Sequence, residues 1–156
     1  MLKLTKKADY GLISLKHLAM RPGRAASSAK EMAEAYRIPL PILAKVLQRM
    51  VKEGFLVSEQ GANGGYRLAR DPAAITALEV IRAIDGPIIL TSCFTDHGVC
   101  ELTDNCTVRE PLRKVHEGIL RLLDSITISD LTGEAEAEPG ARTPAAVAAG
   151  LTVLPS

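Results

Sequence analysis

The stretch SAKEMAEAYRIPLPILAKVLQRMVKEGFLVSEQGANGGYRLAR, residues 28–70, decides the fold. Ser27-Ser28 offers an N-cap, and Glu31 falls three positions after Ser28, the spacing of a capping box, so a short helix runs through AKEMAEAYR. RIPLP breaks it, because a proline inside a helix removes an amide donor and clashes with the preceding turn. Pro39 and Pro41 fit a turn and a helix start, which predicts a third helix from about Leu40 to Glu53, stopped by Gly54. Its spacing buries Leu43, Val46, Leu47 and Met50 and leaves Lys45, Gln48, Arg49 and Lys52 on or near its exposed faces. FLVSEQ then reads as a strand, GANGG as a tight turn and YRLAR as the returning strand. Two helices joined by a short turn and followed by a hairpin make a winged helix-turn-helix.

Upstream, Thr5 to Met20 place Ala8, Leu12, Leu15, Leu18 and Ala19 at helical spacing, ended by Pro22-Gly23. Downstream, DPAAITALEVIRAIDG predicts a helix capped by Thr76 with Glu79 and closed by Gly86. Thr107 with Glu110 suggests another capping box, opening a helix with Val108, Leu112, Val115, Ile119, Leu122 and Ile126 at alternating spacings of four and three. Such a heptad seam on a peripheral helix is most simply buried against its own copy, a homodimer suited to palindromic DNA. Packing on the same chain's core is the other reading. The fold class is therefore mainly α with a small β-hairpin. A winged-helix domain spans residues 1–90, a cysteine segment 91–106, and a dimerisation helix with a short cap 107–131. The remaining 132–156, rich in Ala, Pro, Gly and Glu, is expected to be a disordered tail.

The formal net charge is +1, yet residues 1–71 hold 13 Lys+Arg against 6 Asp+Glu, a net of +7, while residues 72–156 have a net of −6. The basic half suits a polyanion. Together with the winged helix it points to double-stranded DNA: Lys45 and Arg49 for phosphates, Gln48 for an adenine edge, Asn63 and nearby glycines on the wing. Pro39, Leu40 and Pro41 make the recognition helix start apolar, which favours thymine methyl contacts and shape readout. A winged helix that docks protein is the alternative. No apolar run reaches the roughly 18 residues of a membrane span, and MLKLTKKADY lacks the apolar core of a signal peptide, so the cytoplasm is the expected compartment.

All three cysteines, Cys93, Cys100 and Cys106, fall in TSCFTDHGVCELTDNC, residues 91–106. An odd thiol count in a reducing compartment argues against a disulfide framework and leaves an iron–sulfur cluster, zinc or a thiol switch. His97 lies between two of the cysteines and can ligate as neutral imidazole, although solvation is its plainer role; His116 borders the seam, and His17 reads as structural. Scattered histidines, and the absence of a Cys-His signature, P-loop or dinucleotide fingerprint, argue against an enzyme.

These segments resemble the IscR/NsrR-type family of dimeric winged-helix iron–sulfur transcriptional regulators. The resemblance rests on LTKKADYGL, the helix-turn-helix, the wing GANGGYRLARDPAAIT, EVIRAIDGP and the three cysteines, and extends to about residue 131. GPIILTSC and the first spacing of six resemble most the regulators of the SUF iron–sulfur assembly system. The resemblance implies a 2Fe-2S or 4Fe-4S cluster on Cys93, Cys100 and Cys106 whose state governs DNA binding. One branch of the family has a histidine three residues after the last cysteine, where this chain has Arg109, which cannot fill that role. The other branch completes the site with an N-terminal acidic residue of the partner subunit, and Asp9 stands in that place. Taken alone, Asp9 is a first-turn carboxylate favourable to the helix dipole.

Overall fold

The computed structural model describes residues 3–62, 64–90 and 105–133. Its elements run α1 (Lys6–Met20), α2 (Ala29–Tyr36), α3 (Leu40–Lys52), β1 (Leu56–Glu59), β2 (Gly65–Leu68), α4 (Ala77–Asp85), α5 (Arg109–Ser125) and α6 (Ile128–Leu131), with 3-10 turns at Pro22–Arg24 and Pro72–Ala74. The fold is the expected one, mostly helical with one antiparallel hairpin.

Local signals set most boundaries. Two of the three anticipated capping boxes form: the Ser28 hydroxyl accepts from the Glu31 amide and Thr76 from that of Glu79, with each glutamate returning to the cap amide. Each cap satisfies amides the helix leaves unpaired and contributes about 1 kcal/mol. α3 starts at Leu40 as expected and ends one residue earlier than anticipated, at Lys52. Its predicted apolar face is the buried one: Leu43, Leu47 and Met50 are fully enclosed and Val46 nearly so. They pack with Leu15 and Leu18 of α1, Met32 of α2 and Val80 of α4 in a single core.

The hairpin pairs Leu56 with Leu68 and Glu59 with Gly65. Its inner ends, Leu56 and Leu68, are buried. Beyond them the wing is held by Ser27, whose amide donates to the Tyr66 carbonyl at 3.0 Å and whose carbonyl accepts from the Tyr66 amide at 2.8 Å. The residue that leads into the helix-turn-helix thus also acts as a short third strand for the wing.

The same Ser27 ends a side-chain relay. His17 Nδ1 lies 2.9 Å from the Tyr36 hydroxyl and Nε2 lies 3.2 Å from Ser27 Oγ, which donates to Glu31 Oε2 at 2.8 Å. Because the Ser27 proton goes to Glu31, Oγ accepts from Nε2–H, and in the neutral ring Nδ1 accepts from Tyr36. This relay ties α1 to both ends of α2. Burial, joined by the charge of Arg21 and opposed by Glu31, lowers the His17 pKa from 6.5. A neutral native histidine means the unfolded chain takes up the proton first as pH falls. Stability is therefore lost as pH drops from just above the unfolded value towards the lower folded one. Thermal melts between about pH 7.5 and about pH 5.5 should show this fall, and His17→Gln should flatten it. An equally steep fall in the variant would assign it to the carboxylates.

The C-terminal part departs from expectation in one detail. Thr107 is not the N-cap of α5: Val108 occupies that position without a side-chain cap bond, and Glu110 is taken by Arg113. The T-x-x-[DE] box that does form lies at the other end, where Thr127 Oγ1 accepts from the Asp130 amide and Asp130 returns to the Thr127 amide at 2.9 Å. It starts α6, whose Ile128 is fully buried in the winged-helix core. Backbone bonds from Ala77 to the Ile126 carbonyl and from Ile128 to the Ile75 carbonyl fasten this return. No residue of α5 itself is buried, and the seam positions Val108, Val115 and Leu122 are 53%, 52% and 59% exposed. The stretch anticipated as a disordered tail, apart from Thr132 and Gly133, lies outside the described residues.

Candidate nucleic-acid interface and sensor segment

With Leu43, Val46, Leu47 and Met50 turned inward, the residues pointing straight out from α3 follow a spacing of four, three and four: Pro41, Lys45, Gln48 and Lys52. Pro39 is the N-cap, with no side-chain cap bond, and Leu40 and Ile42 beside it are 42% and 39% exposed. Neither proline has an amide proton, so few donors stand at this helix start. The end that would enter a groove presents an apolar surface, and Gln48 is an exposed amide side chain further along the helix.

Arg49 is placed differently from Lys45. It sits on the flank of α3, where its Nε donates to the Ala83 carbonyl at 3.0 Å and its guanidinium meets Glu53 at 3.3 Å. It joins α3 to the end of α4 while remaining about half exposed. Beside it, Lys7, Lys45, Val46, Arg49 and Ile84 line an open notch of about 310 Å³. On the wing, Arg67 pairs with Glu59 across the strands at 2.7 Å, and Val57 is 38% exposed. Asn63 lies outside the described residues.

Of the sensor candidates, Cys106 and Asp9 are described; Cys93, Cys100 and His97 lie outside the described residues. Cys106 is a free thiol, half-buried, three residues before α5. Arg109 is the first residue of α5 and His116 sits half-buried along it. Asp9 is half-buried in the first turn of α1 and lines a mainly apolar cavity of about 300 Å³ with Leu12, Ile13, Lys16 and Leu131. Lys7 and Asp9 therefore open onto different cavities from the same helical turn.

Three contacts that position these elements have no sequence signature, since each joins distant residues. Thr5 binds Asp85 at the end of α4 through both its amide, at 3.1 Å, and its hydroxyl. The Arg49 bond to Ala83 and the His17–Tyr36 contact are the others.

A winged helix with an outward basic and polar stripe on its third helix is the architecture found in DNA-binding transcription regulators. Residues 4–134 match the Rrf2 family, described as iron-dependent transcriptional regulators, and the chain belongs to that family. It is 34% identical over 131 residues to the HTH-type transcriptional regulator NsrR of Shouchella clausii, covering 83% of this chain and 88% of that one. Among solved structures it is similar to CymR, the global cysteine regulator of B. subtilis (30% identity, TM-score 0.71, 85% of this chain and 98% of that one). It is also similar to T. potens IscR (30% identity, TM-score 0.68, 93% and 96%). The chain is thus a transcriptional regulator and not an enzyme. No helix among the described residues is long and apolar enough to cross a membrane.

Proposed function

We propose that the chain is a cytoplasmic homodimer that binds operator DNA through α3 and the wing and senses iron–sulfur status through Cys93, Cys100 and Cys106. Its targets are the genes of iron–sulfur assembly, of the SUF type. The observation that carries this is the presence of three cysteines within fourteen positions in a family described as iron-dependent. The donor set fits: thiolates are soft ligands for iron–sulfur clusters, and the Cys106 sulfur is free of disulfide and partly accessible. Three thiolates leave one ligand to find, and a carboxylate from Asp9 of the partner subunit would complete the set. The exposed seam of α5 is the surface that brings two copies together.

A bound cluster supplies iron–sulfide bonds that oxidants, nitric oxide or iron shortage disrupt. The protein's part is mechanical. Asp9 is in the first turn of α1, Thr5 just before it is tied to α4, and Arg49 ties α4 to α3. A pull on Asp9 is therefore delivered to the recognition helix through two hydrogen-bonded joints, and DNA affinity and ligand affinity influence each other reciprocally.

Purification without oxygen, with iron, acid-labile sulfide and zinc measured on one sample, tests the proposal. Iron and sulfide with visible absorption, lost in Cys93→Ala and in Cys106→Ala, is the expected result. Zinc alone, or no metal after anaerobic reconstitution, would replace the cluster by a zinc site or a thiol switch. The likeness to a cysteine regulator gives that second reading its support.

A further inference from the structure

We propose that the notch between α1, α3 and α4 is a clamp for a DNA backbone phosphate, and that Lys7, outside the helix-turn-helix, is a DNA contact. This deepens the DNA-binding function and rests on it. Three cationic side chains from two helices, Lys7, Lys45 and Arg49, line one cavity of about 310 Å³ whose remaining walls are Val46 and Ile84. A phosphate group fits such a volume, and apolar walls strengthen its attraction to the cations by excluding water.

The placement of the three charges supports a shared anion. Lys45 is in the outward stripe of α3, so a groove occupied by that stripe carries its flanking strand past the notch. Arg49 is fixed in direction by Ala83 and Glu53, which leaves guanidinium donors for an external acceptor and lowers the ordering cost of binding one. Glu53 offsets part of the Arg49 charge. Lys7 and Lys45 have no acidic partner among the described residues, in contrast to Arg67, Arg70 and Arg113, which are paired with carboxylates. Lysines at positions 6 and 7 also work against the helix dipole, which prefers carboxylates in the first turn. A polyanion seated across this turn offsets that cost.

Because the clamp reads backbone and not bases, it acts on any duplex, and the test needs no operator. The full chain is titrated by fluorescence anisotropy into a labelled 30-base-pair duplex of mixed sequence at several salt concentrations. Removing one phosphate-binding cation should reduce the slope of log affinity against log salt by about 0.9 per protomer. Lys7→Gln is expected to show that reduction together with a several-fold weaker affinity at low salt, and Lys7→Arg to restore both. Lys114→Gln on α5 is the control for general surface charge and should leave the slope unchanged. In the double variant Lys7→Gln/Lys45→Gln the effects should be less than additive, as for two groups on one anion. A wild-type chain that binds with a steep salt dependence while Lys7→Gln keeps the same slope would overturn the clamp and leave DNA binding intact. A wild-type chain that fails to bind any duplex would overturn the DNA function itself.

Discussion

Gly65→Ala should destabilise the chain by about 2–5 kcal/mol, since it combines overpacking with a backbone conformation that side chains avoid. Gly65 has φ +149°, and a Cβ there would lie 2.5 Å from the Ser27 carbonyl oxygen and 2.8 Å from the Ser28 amide nitrogen. Neither neighbour can withdraw cheaply. Ser27 is buried, bonded to Tyr66 through its amide and carbonyl and to Glu31 and His17 through its hydroxyl, and Ser28 caps α2. The added methyl group would therefore lever the wing away from the start of the helix-turn-helix. The melting temperature should drop by roughly 5–15 °C, and affinity for DNA should fall even below that temperature, as the wing no longer sits at a fixed angle to α3. Gly61→Ala isolates the backbone contribution. Its φ is +114° but no atom lies within 4 Å of the added Cβ, so a cost of about 1 kcal/mol with DNA affinity retained is expected. Equal melting temperatures for the two variants would mean that the wing is not seated on Ser27.

The Ser27–Gly65 contact also marks where sequence reading stops. Ser28, Thr76 and the apolar face of α3 are legible because a capping box spans four residues and a helix face repeats every three or four, so the deciding interactions lie within about one turn. The same rule misplaces the cap of α5. Thr107 and Glu110 have the right spacing, but Arg113 stands three residues after Glu110 and takes its carboxylate, while Thr127 and Asp130 carry the box that forms. A pattern of four residues does not reveal such competition. The exposed side of α3 is legible as a set, in Lys45, Gln48 and Arg49, but the tertiary contact that singles out Arg49 is not. Helical spacing places Lys45 and Gln48 in the outward stripe, whereas the tie of Arg49 to α4 depends on Ala83, 34 residues away. Lys7 is more distant still from any motif. Only the packing of α1 against α3 and α4 brings it beside Lys45. Of the candidate sensor residues, the thiol chemistry of the cysteines is readable from residue type and spacing, whereas the environment of Asp9 requires Leu131, which comes from α6.

Ile128→Ala addresses that same return of the chain and is expected to cost about 2–5 kcal/mol, the range for truncating an enclosed aliphatic side chain to alanine. Ile128 has no exposed surface, and its backbone bond to Ile75 survives the substitution, so the loss is one of packing against the winged-helix core. The consequence extends beyond stability. No residue of α5 is fully buried, and its far end is fixed by the bridge of Thr127 to Thr76 and by the seating of α6. Loosening Ile128 should therefore loosen the seam helix from the DNA-binding unit and weaken the proposed communication from the cysteine segment to α3, even in molecules that remain folded. Leu122→Ala provides the contrast. At 59% exposure it contributes little to the fold of one chain, so its effect should be confined to association. Melting temperatures followed over a dilution series separate the two. Ile128→Ala should lower every point by a similar amount, whereas Leu122→Ala should lower mainly the concentrated points, where assembly adds stability by mass action. A concentration-dependent effect from Ile128→Ala alone would place Ile128 at the interface between copies and not in the core that carries the recognition helix.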